Sequence, residues 1–518
     1  MLLSEPRPAA KEQASVHGAG RMRTRTRDTH AHQAVIAIGV IATLGLVPWL
    51  GSSIYRDEGA SLYSAHLSWS NLWAQSQHVD LVVLPYYVLL HFWLLVSGTI
   101  EWARVPSLLA YGATVIVAGR IGLRVAGRWC GIITAVLTAA NPLLVQRALN
   151  ARPYALSALT ATLCAAVLVK WLHDGRQRRL WLFCVLGLAT ALLQIFAVLA
   201  PLSMVAAVLA ARPRRLAERV RAMLWPIGAF VLATAAFAIV SVGQVGQIAW
   251  ISGYSTAIQL QNARGPADGN TYDVALFAVL IVVVIVPYYL WPQGGRAMWT
   301  RLLARDRDPL ALALGWAVLP TLILVLASIV HPVFWDRYAT ASAPGLALLF
   351  GLVSARVIQL IRAPRRRGVN GRSKPRGRWL AWAGAALLLV LALSYWNNAS
   401  ALNEDLKSMA VYVSDHAQPG DMIVLQNHAQ TAAVNYYLDR DVHQVAVWPE
   451  LGVRQRFVEA SDLSVPTKPI DPPPHLWVVF DYQSAPTIDF THLVLERYHY
   501  TLLHTRRFAG VSVLLYGR

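Results

Sequence analysis

Charge is what this chain has least of. Only 14% of its 518 residues are Asp, Glu, Lys or Arg, where soluble domains carry about 25%. Hydrophobic residues make up 56%, and the mean hydropathy is +0.43. A water-soluble globule so poor in charge could not cover its own surface. The string of soluble domains that the length alone suggests is therefore excluded. Cysteine is also scarce: Cys130, Cys164 and Cys184 all lie inside apolar runs, which rules out a disulfide framework. The sequence has no Walker-type glycine loop, no zinc-spaced Cys/His set and no Gly-x-Ser-x-Gly elbow, so nucleotide-driven transport and serine hydrolysis find no support.

What the chain does have is apolar runs long enough to cross a bilayer, about 17–25 residues each. The first is Val35–Ile54. Others fall near 104–119, 132–150, 153–172, 180–211, 222–243, 273–292, 309–330, 339–360 and 379–396. The run 180–211 is too long for one span and reads as a tight hairpin about Pro201. Leu81–Gly98 is also long enough to cross, but it has no basic anchor on either flank. It reads as a re-entrant or interfacial helix on the outer face, with a further span as the alternative.

The net charge of +19 has a topological reading. Most Lys and Arg residues cluster in the N-terminal tail, at 120–128, 170–179, 212–221 and 296–307, and in the run 356–378. The positive-inside rule makes all of these cytoplasmic. They serve as topology signals touching anionic membrane lipids rather than nucleic acid, since no aromatic residues interleave with the basic run. The expected organisation is a basic cytoplasmic tail (1–33), then a transmembrane domain (34–400) of about 11 helices with juxtamembrane helices on its outer face. A small extracytoplasmic α/β domain (401–518) follows. The tail lacks the cleavage pattern of a removed signal peptide. Within 401–518 acidic residues outnumber basic ones, and β-like runs occur at Met422–Leu425, Val442–Val447, Leu476–Phe480 and Val511–Tyr516. A helical pattern covers His428–Leu438.

The outer loop 55–103 carries the chemistry candidates. Tyr55-Arg56-Asp57-Glu58-Gly59 follows the first span, and His78, Asp80, Tyr86 and Tyr87 lie further along. Arg147, Arg152 and Tyr154 mark the next outer turn, and His331, Asp336, Arg337 and Tyr338 a later one. Arginines kept on the outer side against the positive-inside bias need a partner or a function. A carboxylate can act as general base, and an arginine can hold a phosphate through its bidentate fork. Such a set suits removal of a hydroxyl proton beside an anionic leaving group.

The order of these motifs resembles the GT-C glycosyltransferases, in particular the mannosyltransferase-type enzymes of glycosyltransferase family 39 in their actinobacterial form. The resemblance rests on Tyr55–Gly59, His78–Asp80, Pro85–Trp93, Gly98, Arg104–Ser107, Asn150–Leu156 and Asp336–Tyr338. It is dense over about 50–160, returns near 331–345 and is weak in the C-terminal domain. Leu84 stands where many relatives have proline, and no lysine lies near Pro85 as in aminoarabinose-transferring relatives, so the sugar stays open.

The resemblance implies an enzyme of the bacterial plasma membrane. It would move mannose, or another hexose or pentose, from a polyprenyl-phosphate donor to an extracytoplasmic glycan, lipid or protein, inverting the anomeric centre. Asp57 would be the general base, with Glu58 second choice or orienting partner. Arg337, Arg152 and Tyr338 would hold the donor phosphate. His78, Asp80, Tyr86, Tyr87, Tyr154 and His331 would line the substrate pocket. The resemblance implies no certain cofactor; a divalent cation at Asp80 and His78 is a secondary expectation. A transporter or flippase for lipid-linked sugars, or an envelope-assembly scaffold, is the alternative.

Overall fold

The computed structural model describes residues 29–211, 215–244, 251, 307–362, 397, 404–425, 430–438, 443–446, 457–458, 469–470, 472–481, 495–496 and 498–518. The expected spans 273–292 and 379–396 lie outside these residues, as does most of the segment 244–272, which is expected on the outer face. In chain order the helices of the first half are α1 (Thr29–Trp49), α2 (Arg56–His66), α3 (Trp69–His78), α4 (Leu84–Leu94), α5 (Ile100–Ala126), α6 (Arg128–Ala139) and α7 (Pro142–Ala148). There follow α8 (Tyr154–Asp174), α9 (Gln177–Leu193), α10 (Leu199–Ala211), α11 (Leu216–Ser241), α12 (Arg307–Val330), α13 (Ala343–Arg362), α14 (Leu406–His416) and α15 (Thr431–Tyr437).

Among the described residues six helices are long and apolar enough to cross a membrane, and a seventh if the bent pair α6–α7 counts as one span. This is a multi-pass membrane protein. Helices suit this environment because each satisfies its backbone hydrogen bonds internally, where lipid offers no partner. The expected span 132–150 is broken by 59° between α6 and α7. The cause is Asn141-Pro142: the Asn141 side chain accepts from the Leu144 N–H at 3.2 Å, and Pro142 opens the new helix. The run 180–211 also divides, but at Gln194 and not at Pro201. Gln194 leaves the helical region (φ −154°, ψ 109°) and its side chain accepts from the Phe196 N–H. Pro201 sits in the first turn of α10, where its missing N–H costs nothing.

The chain forms two compact units. One comprises 1–45, 109–145 and 154–396; the other comprises 46–108, 146–153 and 397–518. The boundaries expected from sequence fall after residues 33 and 400. The compact units instead group the outer loop, the 146–153 turn and the C-terminal domain together.

In the first unit, a core built around Cys164, Leu168, Phe183, Met204, Trp316, Leu348 and Leu352 ties α8–α10 to α12 and α13. The Trp316 indole N–H, fully buried, donates to the Ala341 carbonyl at 2.7 Å. Small residues let helices approach closely where no hydrophobic drive exists between them in lipid. At Gly122 on α5, a Cβ would lie 2.9 Å from the Cys130 carbonyl oxygen and from Gly131 Cα on α6.

In the second unit, α4 is 11 residues long, about 16 Å, roughly half the hydrocarbon thickness. It does not cross on its own. Trp93 and Trp102 close the connection from α4 to α5: their rings stack at 4.6 Å, and each indole N–H donates to the other's carbonyl. The C-terminal part forms a mixed five-stranded sheet. Its strands are β1 (Met422–Leu425), β2 (His443–Ala446), β5 (His475–Asp481), β6 (Thr501–Phe508) and β7 (Val511–Gly517), in the order β2-β1-β5-β7-β6. A separate two-stranded ribbon pairs β3 (Phe457–Val458) with β4 (Pro469–Ile470). β1 runs parallel to β2 and β5, with α15 as the β1–β2 crossover, and β7 is antiparallel to β5 and β6.

The close approach at Gly122 predicts a specific stability pattern. Gly122→Ala forces α6 away and lowers stability by about 1–3 kcal/mol. Gly228→Ala on α11, where a Cβ meets nothing within 4 Å, is neutral or stabilising. Thermal unfolding in detergent reads both, and an unchanged midpoint for Gly122→Ala would contradict the close packing.

Candidate active site

The end of α1 hands the chain to α2 through an extended N-cap, Tyr55 (φ −77°, ψ 146°). Arg56, Asp57 and Glu58 then form the first helical turn, where carboxylates are favoured by the exposed N–H groups and the helix dipole. Glu58 reaches back to accept from the Tyr55 N–H at 2.9 Å, the acidic half of a capping box.

Glu58 is completely buried, and its carboxylate is fully engaged. Its Oε1 accepts from Arg104 Nε at 2.8 Å and from the Ala151 N–H at 2.7 Å. Its Oε2 accepts from Arg104 Nη2 at 2.7 Å as well as from Tyr55. Arg104, 1% exposed, spends its remaining donors on the Leu50, Ser52 and Ser53 carbonyls and the Ser52 hydroxyl, at 2.7–3.0 Å. This bidentate pair joins the end of α1, the start of α2, the start of α5 and the 150–153 turn. The sequence reading noted Arg104 only as a motif member and an outer-face arginine. Its signal was a charge heading an otherwise apolar run, in Arg104-Val-Pro-Ser107.

Asp57, half-buried, sits one residue before Glu58. Arg152 lies over the same turn: its Nη1 donates to the Asp57 carbonyl at 3.2 Å and to the Ser61 hydroxyl at 3.0 Å. Ser107 donates to the Arg152 carbonyl at 3.2 Å. Asp57, Glu58, Arg104 and Arg152 are thus assembled from three sequence-distant segments.

Asp80 occupies the turn between α3 and α4 in the left-handed region (φ 61°), a conformation that aspartate tolerates better than most residues. The Tyr87 hydroxyl donates to its Oδ2 at 2.7 Å. Burial pushes the Tyr87 phenol well above its ordinary range, and the Asp80 charge adds to it. Burial does the same for Tyr86, partly opposed by the Arg152 charge. Both phenols therefore stay protonated as donors. The buried Tyr86 hydroxyl has no hydrogen-bond partner of normal geometry among the described residues, although Ser107 is near enough to influence its ionisation.

The other predicted residues are placed differently. His78 ends α3 and is exposed. Tyr154, His331, Arg337 and Tyr338 belong to the first unit. There, Tyr154 opens α8 and is buried, and His331 is exposed after α12. Arg337 and Tyr338 lie in the 3-10 segment Asp336–Ser342, with the Tyr338 ring 4.7 Å from Phe196 and the Arg337 guanidinium 6.0 Å from the Tyr338 ring. No group of three or more His, Cys, Asp or Glu side chains among the described residues could hold a metal ion. The tyrosines Tyr436 and Tyr437, which also enter the site's surroundings, carried no sequence signal beyond their helical pattern.

The chain is a polytopic membrane protein of the GT-C fold with a small C-terminal α/β region. It is similar to ArnT from Cupriavidus metallidurans in the apo state, with a TM-score of 0.50 at 15% identity over 93% of this chain and 97% of that one. Other similar structures are the same protein bound to undecaprenyl phosphate (TM-score 0.48, 13% identity, 93% and 97% covered) and the arabinosyltransferase EmbB from Mycobacterium smegmatis (0.39, 17%, 70% and 37%). No protein-family model and no curated protein sequence matches the chain.

Removing one member of the buried pair leaves the other charged and unpaired. Glu58→Gln and Arg104→Ala should each lower stability by about 3–5 kcal/mol, read as a large drop in unfolding temperature. Neutral behaviour of both would show that the pair is not formed.

Proposed function

We propose that this protein is an inverting glycosyltransferase that moves a sugar from a polyprenyl-phosphate-linked donor to an acceptor hydroxyl on the outer face of a bacterial plasma membrane. The observation that carries the reading is Asp57: a half-buried carboxylate on the first turn of α2, beside a Glu58 whose own carboxylate is consumed by Arg104. The fold supports it: the chain resembles apo ArnT, a protein also solved bound to undecaprenyl phosphate. The basic loops support the orientation: with Lys- and Arg-rich segments cytoplasmic, the α2 end of α1 faces outward.

In this mechanism Asp57 removes the proton of the acceptor hydroxyl as its oxygen attacks the anomeric carbon from the face opposite the phosphate. The C–O bond to phosphate breaks, its electron pair leaves with the polyprenyl phosphate, and the configuration inverts. Arg152, which reaches over the first turn of α2 from the 150–153 turn, offsets the charge developing on the leaving group. Arg337 and Tyr338 are assigned to the phosphate by the sequence motif. Tyr86, protonated and buried, offers a donor to a substrate oxygen, and Asp80 with Tyr87 shapes the adjoining wall. Mannose or another hexose or pentose is the sugar, and a glycan, lipid or protein of the cell envelope the acceptor.

Purified protein supplied with synthetic polyprenyl-phosphate sugars tests the reading. Asp57→Asn should reduce turnover by about 10²–10⁴-fold, the usual contribution of a general base. Arg337→Ala should also lose most activity, through weaker phosphate stabilisation. Wild-type-like transfer by Asp57→Asn would remove Asp57 as base. Inactivity with every donor, together with ligand-dependent flipping of lipid-linked sugar, would instead indicate a transporter.

A further inference from the structure

The helix α15 of the C-terminal region touches α2 at the turn that bears Asp57. A Cβ on Gly59 would lie 2.6 Å from the Ala433 nitrogen and 2.9 Å from its Cα, so only glycine allows this approach. The last two residues of α15 then make one hydrogen bond each. The Ile54 N–H donates to the Tyr437 hydroxyl at 2.9 Å, and the Ile100 N–H donates to the Tyr436 hydroxyl at 3.0 Å.

The positions of those two N–H groups matter. Ile54 immediately precedes the N-cap of α2, and Ile100 is the first residue of α5. Both are buried. Neither N–H has a helical carbonyl to bond, since helix starts and the residues before them leave donors unsatisfied. The tyrosines thus fix the start of the helix bearing Asp57 and Glu58, and the start of the helix bearing Arg104. Around them, the Lys407 N–H donates to the Ser53 hydroxyl at 3.1 Å, Lys407 Nζ to the Gly51 carbonyl at 3.3 Å, and Glu404 lies 3.9 Å from Arg56. Gln430 holds Glu404 from the other side at 3.3 Å.

We propose that Tyr436 and Tyr437 are positioning residues for the transfer reaction: the C-terminal region sets the aim of Asp57 by hydrogen-bonding the two backbone N–H groups that frame the Glu58–Arg104 pair. This rests on the reading of Asp57 as the general base. A carboxylate displaced by a fraction of an ångström loses rate without losing substrate affinity. The effect belongs to kcat.

The test compares Tyr436→Phe, Tyr437→Phe and the double variant with wild-type full-length protein and Asp57→Asn. The readouts are kcat and KM for a synthetic polyprenyl-phosphate sugar and hydrogen–deuterium exchange over 48–56 and 98–104. Phenylalanine keeps the rings and removes only the acceptors. Each single variant should lose about three- to tenfold in kcat, and the double variant more, with KM unchanged. Exchange should quicken around Ile54 in Tyr437→Phe and around Ile100 in Tyr436→Phe. Wild-type kcat in the double variant, while Asp57→Asn is inactive, would overturn the positioning role and leave the function standing. Wild-type protein inactive with every donor would instead bring down the functional reading. Unaltered exchange in both single variants would show that the hydrogen bonds are not formed.

Discussion

The buried pair between Glu58 and Arg104 is the contact on which the candidate site is built. Taking two charges out of water costs several kcal/mol per ion, and their attraction offsets that only when the remaining donors and acceptors are satisfied. Here they are: two N–H groups complete the Glu58 carboxylate, and four oxygens complete the Arg104 guanidinium. An apolar replacement of equal volume could give comparable stability. It could not give direction. The planar fork of arginine against a carboxylate fixes distance and angle together, and it does so among segments separated by up to 93 positions in the chain. The pair therefore serves to set the orientation of the first turn of α2, and the carboxylate of Asp57 rides on that turn.

The bilayer explains why this constraint is placed where it is. Membrane-spanning helices satisfy their own backbones, so their interiors need few polar side chains; their ends do not. At the ends of α1 and α5 the chain must leave one helix and enter the next with its carbonyls and N–H groups accounted for. Arg104 takes the carbonyls of Leu50, Ser52 and Ser53, while Glu58 takes the N–H groups of Tyr55 and Ala151. The same groups that would otherwise be costly orphans are used to define the site. The Trp93–Trp102 exchange of indole N–H and carbonyl applies the same logic where α4 turns into α5.

How much of this could be read in the sequence depended on whether the signal was periodic. The spans α1, α5, α8, α11 and α12 were legible because a lipid-facing helix needs a long apolar run. The break at Asn141-Pro142 is written in the chain but hidden by the hydropathy on either side, and Pro201 reads as a hairpin in the sequence although proline suits a first helical turn. In the C-terminal region β1, β2, β5 and β7 were legible as apolar runs. β6 was not: it is exposed along almost its whole length, so no alternation marks it. In the site, the carboxylates and Arg152 stood out as charges in an apolar chain. Arg104 was equally visible but looked like a membrane-end arginine, because its partner is 46 residues away and only the fold brings them together.

Two adjacent acidic residues at one helix start need not do the same work, and here helical geometry divides it. Successive side chains on an α-helix point about 100° apart. At the N3 position, Glu58 curls back to the N-cap and into the buried Arg104. With two donors on each oxygen, its carboxylate has no lone pair left for a substrate proton. Asp57, one residue earlier, is turned off that axis and is half-buried where Glu58 is fully enclosed. The shorter side chain also suits an anchored carboxylate, since it has one fewer rotatable bond to order. The Asp-Glu dipeptide thus divides into a fixed frame at the second residue and, under the proposed mechanism, the proton acceptor at the first. Exchanging their order would place the longer chain on the exposed side and leave the shorter one unable to reach Arg104.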